Sequence, residues 1–236
     1  MTRQRCTVLQ GYQADARPRW IEMCLQSVRE WAGVYGHDYV FTDRFFDPVP
    51  DWFRAKCGAQ IGPLTDLART LWMQRCLDAG CDAVVWVDAD VLVFAPGRLR
   101  LPPITRLTAI RELTPLVSAR GEIRVTGEGV NGAILGAPAD GSGLADYRSA
   151  ITACIRNAAP GAIARTMAGP ALLTDIGKKL GLDVLDHIGL VTPGMAGALL
   201  RGQPQLPRAY MTAFGSPIYA ANLCHFARSE GDAAIR

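Results

Sequence analysis

Lysine is nearly absent from this chain of 236 residues: Lys56, Lys178 and Lys179 are the only three among 25 basic residues. The arginines that make up the rest are scattered, and 22 acidic residues leave a net charge of only +3. That pattern excludes the clustered basic face of a nucleic-acid binder. It reads as the mark of a GC-rich coding genome. Paired cysteines are missing as well. Cys6, Cys24, Cys57, Cys76, Cys81, Cys154 and Cys224 are odd in number and show no C-x-x-C spacing. Free thiols in a reducing compartment are the expectation, not a disulfide framework or a zinc site. No apolar run approaches the roughly 18 residues of a membrane span. The opening MTRQRCTVLQGYQ also lacks the apolar core of a secretion signal. A cytoplasmic protein is therefore expected.

What is present suits an ordinary globular chain. Hydrophobic residues are 49% and charged residues 20% of the whole, which excludes collagen-like, coiled-coil and wholly disordered readings. A chain of this length buries roughly 70–75% of its unfolded surface, enough for a core without staples. CTVLQGY (6–12) reads as a strand. Pro18 then opens a helix whose Ile21, Leu25, Val28 and Trp31 recur at helical spacing and which stops near Gly33–Gly36. HDYVFTD (37–43) reads as a second strand, and 44–63, with Pro48, Pro50, Gly58, Gly62 and Pro63, as an irregular connection. A second helix follows, capped by Thr65 or Asp66, with Leu64, Leu67, Ala68 and Leu71 apolar and Gly80 as its stop.

DAVVWVDADVLVF (82–94) comes next. VVWV does not alternate, as expected of a central parallel strand covered on both faces. Residues 1–94 thus spell a nucleotide-binding βαβαβ half of an α/β sheet. Residues 95–236 form a less regular half of the same single domain. It holds β-like stretches at 105–110 and 123–136, a helix at 142–157 capped by Ser142, and a helix at 169–181 between Pro170 and Gly181. Residues 189–217, rich in Gly and Pro, read as loop with short strands.

Asp88 and Asp90 sit two apart, straight after the apolar run and before another, VLVF. In extended backbone residues i and i+2 share a face, so both carboxylates are expected to converge at the carboxyl end of a central strand. Ligands of open α/β sheets bind there. Most D-x-D triplets are solvated turns, but apolar flanks on both sides call for a partner or a cation. Oxygen donors alone favour Mg²⁺ or Mn²⁺. On the preceding helix Asp66 and Arg69 are i, i+3 neighbours. As a surface ion pair they contribute only about 0.3–0.5 kcal/mol.

The stretch TDLARTLWMQRCLDAGCDAVVWVDADVLVF resembles the metal-dependent, nucleotide-sugar-using glycosyltransferases of the GT-A fold, in particular bacterial capsule- and lipopolysaccharide-type sugar transferases. Weaker echoes are QGYQADARPRWIEMCLQSV, VNGAILGAP, AGPALLTD and a C-terminal His. The resemblance implies a Rossmann-like, mixed, mostly parallel sheet flanked by helices. It also implies transfer of a hexose from a UDP- or GDP-linked sugar to a glycan, lipid-linked or small-molecule acceptor, with retention of configuration. By the same resemblance Asp88 and Asp90, with Ala89 between them, hold Mn²⁺ or Mg²⁺ against the diphosphate. Asp66 and Arg69 contact the donor sugar, Asn131 borders sugar and acceptor, and Gly169–Pro170 match a recurrent Gly-Pro. His225 supplies a third metal ligand, and Gln10, Gly11 and Tyr12 lie by the base. Arg228 stands where relatives place a cation for the leaving group. The sequence departs from the pattern at Ala79-Gly80-Cys81-Asp82, where a Gly-Gly pair is usual, and at Phe226 after the His. His37 and His187 read as structural.

VVWVDADVLV also fits the first motif of haloacid-dehalogenase-type phosphohydrolases, with Asp88 as nucleophile and Asp90 as acid/base. Two β/α units precede it here, however, and Lys178 and Lys179 lie too near Asp183 and Asp186 to complete that motif set. A nucleotidyltransferase needs a Gly-rich basic loop after the first strand, which QGYQADARPR lacks. A non-catalytic binding protein of the same fold is the remaining reading.

Overall fold

A computed structural model describes residues 4–13, 17–117, 123–159 and 161–223. The N-terminal half forms as its sequence pattern dictates. Strand β1 (Thr7–Gly11) is buried throughout. Helix α1 (Arg19–Tyr35) starts after Pro18 and buries Ile21, Leu25, Val28, Trp31 and Ala32. It ends at Gly36, whose φ of 66° and N–H bonded back to Ala32 and Gly33 make the left-handed stop that glycine suits. Strand β2 (Asp38–Thr42) pairs parallel with β1.

The segment expected to be irregular contains a short helix, α2 (Asp51–Cys57). Helix α3 (Ile61–Asp78) begins earlier than the Thr65 or Asp66 cap expected of it, with Gln60 as N-cap and Pro63 inside its first turn. Pro lacks only an N–H that the first turn does not use, so it does not stop the helix. Strand β3 (Ala83–Val87) is wholly buried and pairs parallel with β1. Its two faces explain the apolar run: Val84 and Trp86 join the core under α2 and α3, while Val85 and Val87 join the core under α1.

A turn separates β3 from β4 (Val91–Val93). Strands β5 (Thr108–Val117) and β6 (Ile123–Pro138) follow, then α4 (Leu144–Asn157) and α5 (Pro170–Leu180). Gly143, not Ser142, occupies the N-cap of α4. Pro170 and Gly181 bound α5 as expected. After β7 (Asp183–Leu185) and β8 (Ile188–Leu190), the region expected to be loop folds into α6 (Pro193–Leu200) and α7 (Gln205–Phe214), and β9 (Ala220–Asn222) closes the described chain. These two helices bury Met195, Ala198, Leu206, Tyr210 and Phe214 against Leu113 of β5.

The main sheet runs β2-β1-β3-β6-β5-β7, and a smaller sheet runs β4-β9-β8. Only β6 is antiparallel to its neighbours in the main sheet, which is therefore mixed and mostly parallel, with helices flanking it. Among the described residues no helix is long and apolar enough to cross a membrane.

Candidate active site

Strand β6 positions the site by lying between β3 and β5 and bulging against β5. Ile134 to Pro138 pair with β3, whereas Asn131 pairs with Ile110 of β5, and Leu135 is set opposite both Trp86 and Ala109. The register shift leaves Gly132 to Ile134 without partners on β5, as in a bulge. The Asp88 N–H donates to the Ala133 carbonyl at 2.7 Å, which anchors the end of β3 to that bulge.

Neither Asp88 nor Asp90 lies in a strand, contrary to the extended backbone expected from the sequence. β3 ends at Val87, and the Val91 N–H closes a turn onto the Asp88 carbonyl at 3.1 Å. The two carboxylates nevertheless line one cleft of about 740 Å³, with Ala89 between them. The Asp90 carbonyl accepts from Leu223 N–H at 2.9 Å, tying the turn to the residue after β9.

Asp66 and Arg69 face inward from α3 and form no surface pair. An Arg69 Nη2 lies 3.3 Å from Asp66 Oδ1 and 3.6 Å from Asp88 Oδ1, with side chains only 7%, 10% and 20% exposed in the order Arg69, Asp66, Asp88. Its Nη1 donates to the Gly132 carbonyl. A Cβ at Gly132 would sit 2.6 Å from that nitrogen, so the small residue of VNGAILG makes room for the guanidinium. One positive charge thus serves two buried carboxylates. Burial pushes the Asp66 carboxyl up to about 6; Arg69 opposes the shift and the Asp88 charge adds to it. Asp88 is raised too, again by burial first, with Arg69 and the Trp86 indole pulling the other way. Arg69 Nε has no hydrogen-bond partner among the described residues. Such a group is costly to bury unless water or a ligand satisfies it.

Trp86 was invisible as a site residue in the sequence, where it reads as core. Its indole N–H donates to Asp88 Oδ1 at 2.6 Å, and its ring stacks on Phe45 with centroids 4.9 Å apart and planes at 19°. Gly11 permits this: a Cβ there would meet the Phe45 ring at 2.9 Å. Tyr12, Trp20 and Phe46 extend the aromatic end of the cleft.

Of the three residues placed by the base, Gly11 and Tyr12 line the cleft and Gln10 does not. Gln10 is fully buried, donating to the Asp88 carbonyl at 3.2 Å and accepting from Tyr39 Oη–H at 3.0 Å. It supports the turn from beneath, because alternation along β1 sends it to the opposite face from its neighbours. Asn131 lines the cleft, its Oδ1 accepting from Ala133 N–H at 2.7 Å, as do Gly169 and Pro170.

Glu112 of β5, Tyr147 of α4 and Arg165 also line it, and sequence reasoning missed all three. A lone acidic residue inside the apolar strand TAIRELT was the available signal for Glu112. Tyr147 was read only as part of a helix face; its hydroxyl donates to the Ala168 carbonyl at 3.2 Å. His225 and Arg228 lie outside the described residues. Among the described residues no group of three or more His, Cys, Asp or Glu side chains could hold a metal. None of the three lysines lines the cleft, so the cation a haloacid-dehalogenase site requires is not supplied there. His37 accepts from Cys6 N–H, and neither it nor His187 reaches the cleft.

A glycosyltransferase involved in glycosylating the major capsid of PBCV-1 superposes on this chain with a TM-score of 0.59 at 13% identity, over 97% of each chain. The chain shares its fold with that glycosyltransferase. GlyE of Streptococcus pneumoniae TIGR4 matches at a TM-score of 0.46 and 15% identity, over 97% of this chain and 56% of that one. Mouse xyloside xylosyltransferase 1 matches at 0.44 and 11%, over 93% and 97%. At those scores the latter two carry no further weight. No protein-family model and no curated protein matches the chain.

Proposed function

We propose that this chain is a cytoplasmic glycosyltransferase that moves a hexose from a UDP- or GDP-linked sugar to an acceptor hydroxyl with the help of a divalent cation. The observation that carries the proposal is the cluster at the end of β3: Asp88 and Asp90 on one turn, with Arg69 and Asp66 buried against Asp88, all bordering one cleft. The donor set suits Mn²⁺ or Mg²⁺. Hard carboxylate oxygens are what those ions take. The described lining also carries four carboxylates (Asp66, Asp88, Asp90, Glu112) against two guanidiniums (Arg69, Arg165). A diphosphate entering such a cleft alone meets like charge, so a bridging cation offsets the repulsion.

Asp88 and Asp90 would hold that ion, joined by His225 as the family resemblance implies. When bound it supplies Lewis-acid stabilisation of the departing diphosphate. Both contacts from Trp86 and Arg69 fall on Asp88 Oδ1, fixing the carboxylate's orientation while leaving Oδ2 to the ligand. Tyr12 and Phe46 offer flat apolar surface to a base, backed by the buried Phe45–Trp86 stack. Asn131 borders the transferred sugar, and Arg228 adds positive charge at the leaving group. Retention of configuration is carried over from the resemblance.

The experiment is a donor-binding and donor-hydrolysis assay on wild type and on Asp88→Asn with Asp90→Asn. With Mn²⁺ and UDP or GDP at about a hundredfold over Kd, wild type gains about 2.7 kcal/mol of stability. The double variant loses that gain and at least about a thousandfold in metal-dependent turnover of the sugar nucleotide, the scale of removing a principal charge-stabilising element. Undiminished metal-dependent turnover in the variant sinks the proposal.

A further inference from the structure

Beyond Asp90 the cleft changes character. Glu112 stands on β5, two places along the sheet from β3, and half-buried. Its side chain hydrogen-bonds Asn131 on the neighbouring strand. Burial raises its carboxyl and the Asn131 amide draws it back. Two arginines of this region are committed elsewhere. Arg111, next in sequence, pairs with Asp186 at 2.9 Å. Arg69 is held by Asp66 and Asp88. Arg165 belongs to the segment that crosses Gly62 near the start of α3. Leu190 and Asn222, paired across β8 and β9, also line the cleft, and on its other side Asn222 pairs with Val91, next to Asp90.

A carboxylate beside amides is a hydroxyl-reading surface. The carboxylate only accepts hydrogen bonds, whereas each amide both donates and accepts, so adjacent hydroxyls of a polyol satisfy them together. A carboxylate or phosphate brought to the same spot meets Glu112 with no counter-charge and is rejected. We infer that this end of the cleft binds the acceptor, and that the acceptor unit it takes is a neutral sugar, with Glu112 and Asn131 holding its hydroxyls and Glu112 excluding acidic sugars. This rests on the transferase reading of the same cleft and goes further by naming the acceptor class and the residue that selects it.

The test is saturation-transfer NMR on the protein loaded with Mg²⁺ and UDP or GDP, using a panel of methyl hexosides and the matching methyl hexuronides. Wild type is expected to take at least one methyl hexoside and none of the hexuronides. Glu112→Gln keeps the shape and removes the charge. It is expected to weaken the hexoside by about tenfold or more, the worth of a hydrogen bond to a charged group, and to admit the hexuronide. Its affinity for UDP or GDP reports that the fold is intact. A nucleotide-loaded protein that takes hexuronides as well as hexosides, or takes neither, overturns the acceptor assignment and leaves the donor reading standing. So does a variant as avid for the hexoside as wild type. A wild type that binds neither nucleotide sinks the donor reading and the acceptor assignment together.

Discussion

Phe45 and Trp86 meet in the cleft by stacking at 4.9 Å, while beside them Asp66 and Asp88 divide a single guanidinium at 3.3 and 3.6 Å. The aromatic end is held by contact area, which is non-directional and degrades by degrees as atoms are removed. The charged floor is held by an arrangement in which each member justifies burying the others. Losing one member there leaves an uncompensated charge in low dielectric. The two ends border one cleft, and Trp86 belongs to both, since its ring stacks while its N–H holds Asp88. Graded loss at one end and abrupt loss at the other is the expected contrast.

Arg69→Met breaks the floor most severely. The substitution keeps much of the side-chain volume and strands Asp66 and Asp88, buried and facing one another's charge. Removing one partner of a buried ionic group costs about 3–5 kcal/mol. Urea unfolding at pH 7.5 is expected to show a loss of that size. A loss below about 1 kcal/mol would mean that the floor behaves like a surface pair and that the contrast is false.

The same floor has a pH signature. Asp66 binds its proton more tightly in the folded chain, at about 6 against the ordinary 3.8. The folded state therefore holds the extra proton, and stability from this group is present in full below about pH 4. It falls as pH rises through about 6 and stays lost above. A shift of that size corresponds to about 3 kcal/mol. Asp66→Asn is neutral throughout and removes this slope. In metal-free protein, the stability difference between wild type and Asp66→Asn is expected to change by about that amount between pH 4 and 7.5. A difference that stays flat across the window contradicts the burial of an ionisable Asp66.

Local pattern made the N-terminal half readable. The helical spacing of Ile21, Leu25 and Val28 and the unbroken VVWV run each report burial within a few residues of themselves, and the elements formed there. The grouping of Asp66 and Arg69 with Asp88 and Asp90 was implied by the family resemblance of the stretch 65–94, whereas spacing alone gave only the Asp88–Asp90 pair. Non-local facts were not. The turn at 88–91 is closed by a hydrogen bond in place of strand pairing, and nothing in DAD announces it. Gln10 adjoins Gly11 yet faces away from it, because successive strand residues point to opposite faces. Glu112 reaches the cleft from β5, with β6 lying between it and β3, a sheet order that no local pattern announces. Helices α6 and α7 form from a Gly- and Pro-rich stretch because β5 and β6 give Met195, Leu206 and Tyr210 an apolar surface to bury against, which overrides weak local propensity.

Phe45→Leu tests the aromatic end and carries the smallest effect. Leucine still fills most of the space over Trp86 and buries apolar area, so only the ring–ring preference and part of the contact are lost. Such a pair contributes about 0.5–1.5 kcal/mol beyond area burial, and the expected drop in unfolding free energy is about 1–1.5 kcal/mol. Because Gly11 leaves no Cβ between β1 and the Phe45 ring, the ring has backbone on one side and Trp86 on the other. A leucine there gives Trp86 room to tilt. The Trp86 N–H bond to Asp88 is what a tilt would strain, so metal-dependent binding of UDP or GDP reports whether packing and charge are coupled through this residue. Nucleotide affinity unchanged to within about twofold means the two ends are independent and their stability losses add. An affinity loss of about tenfold, out of proportion to so mild a packing change, means the aromatic stack sets the aim of the carboxylate, and a double variant with Arg69→Met then departs from additivity.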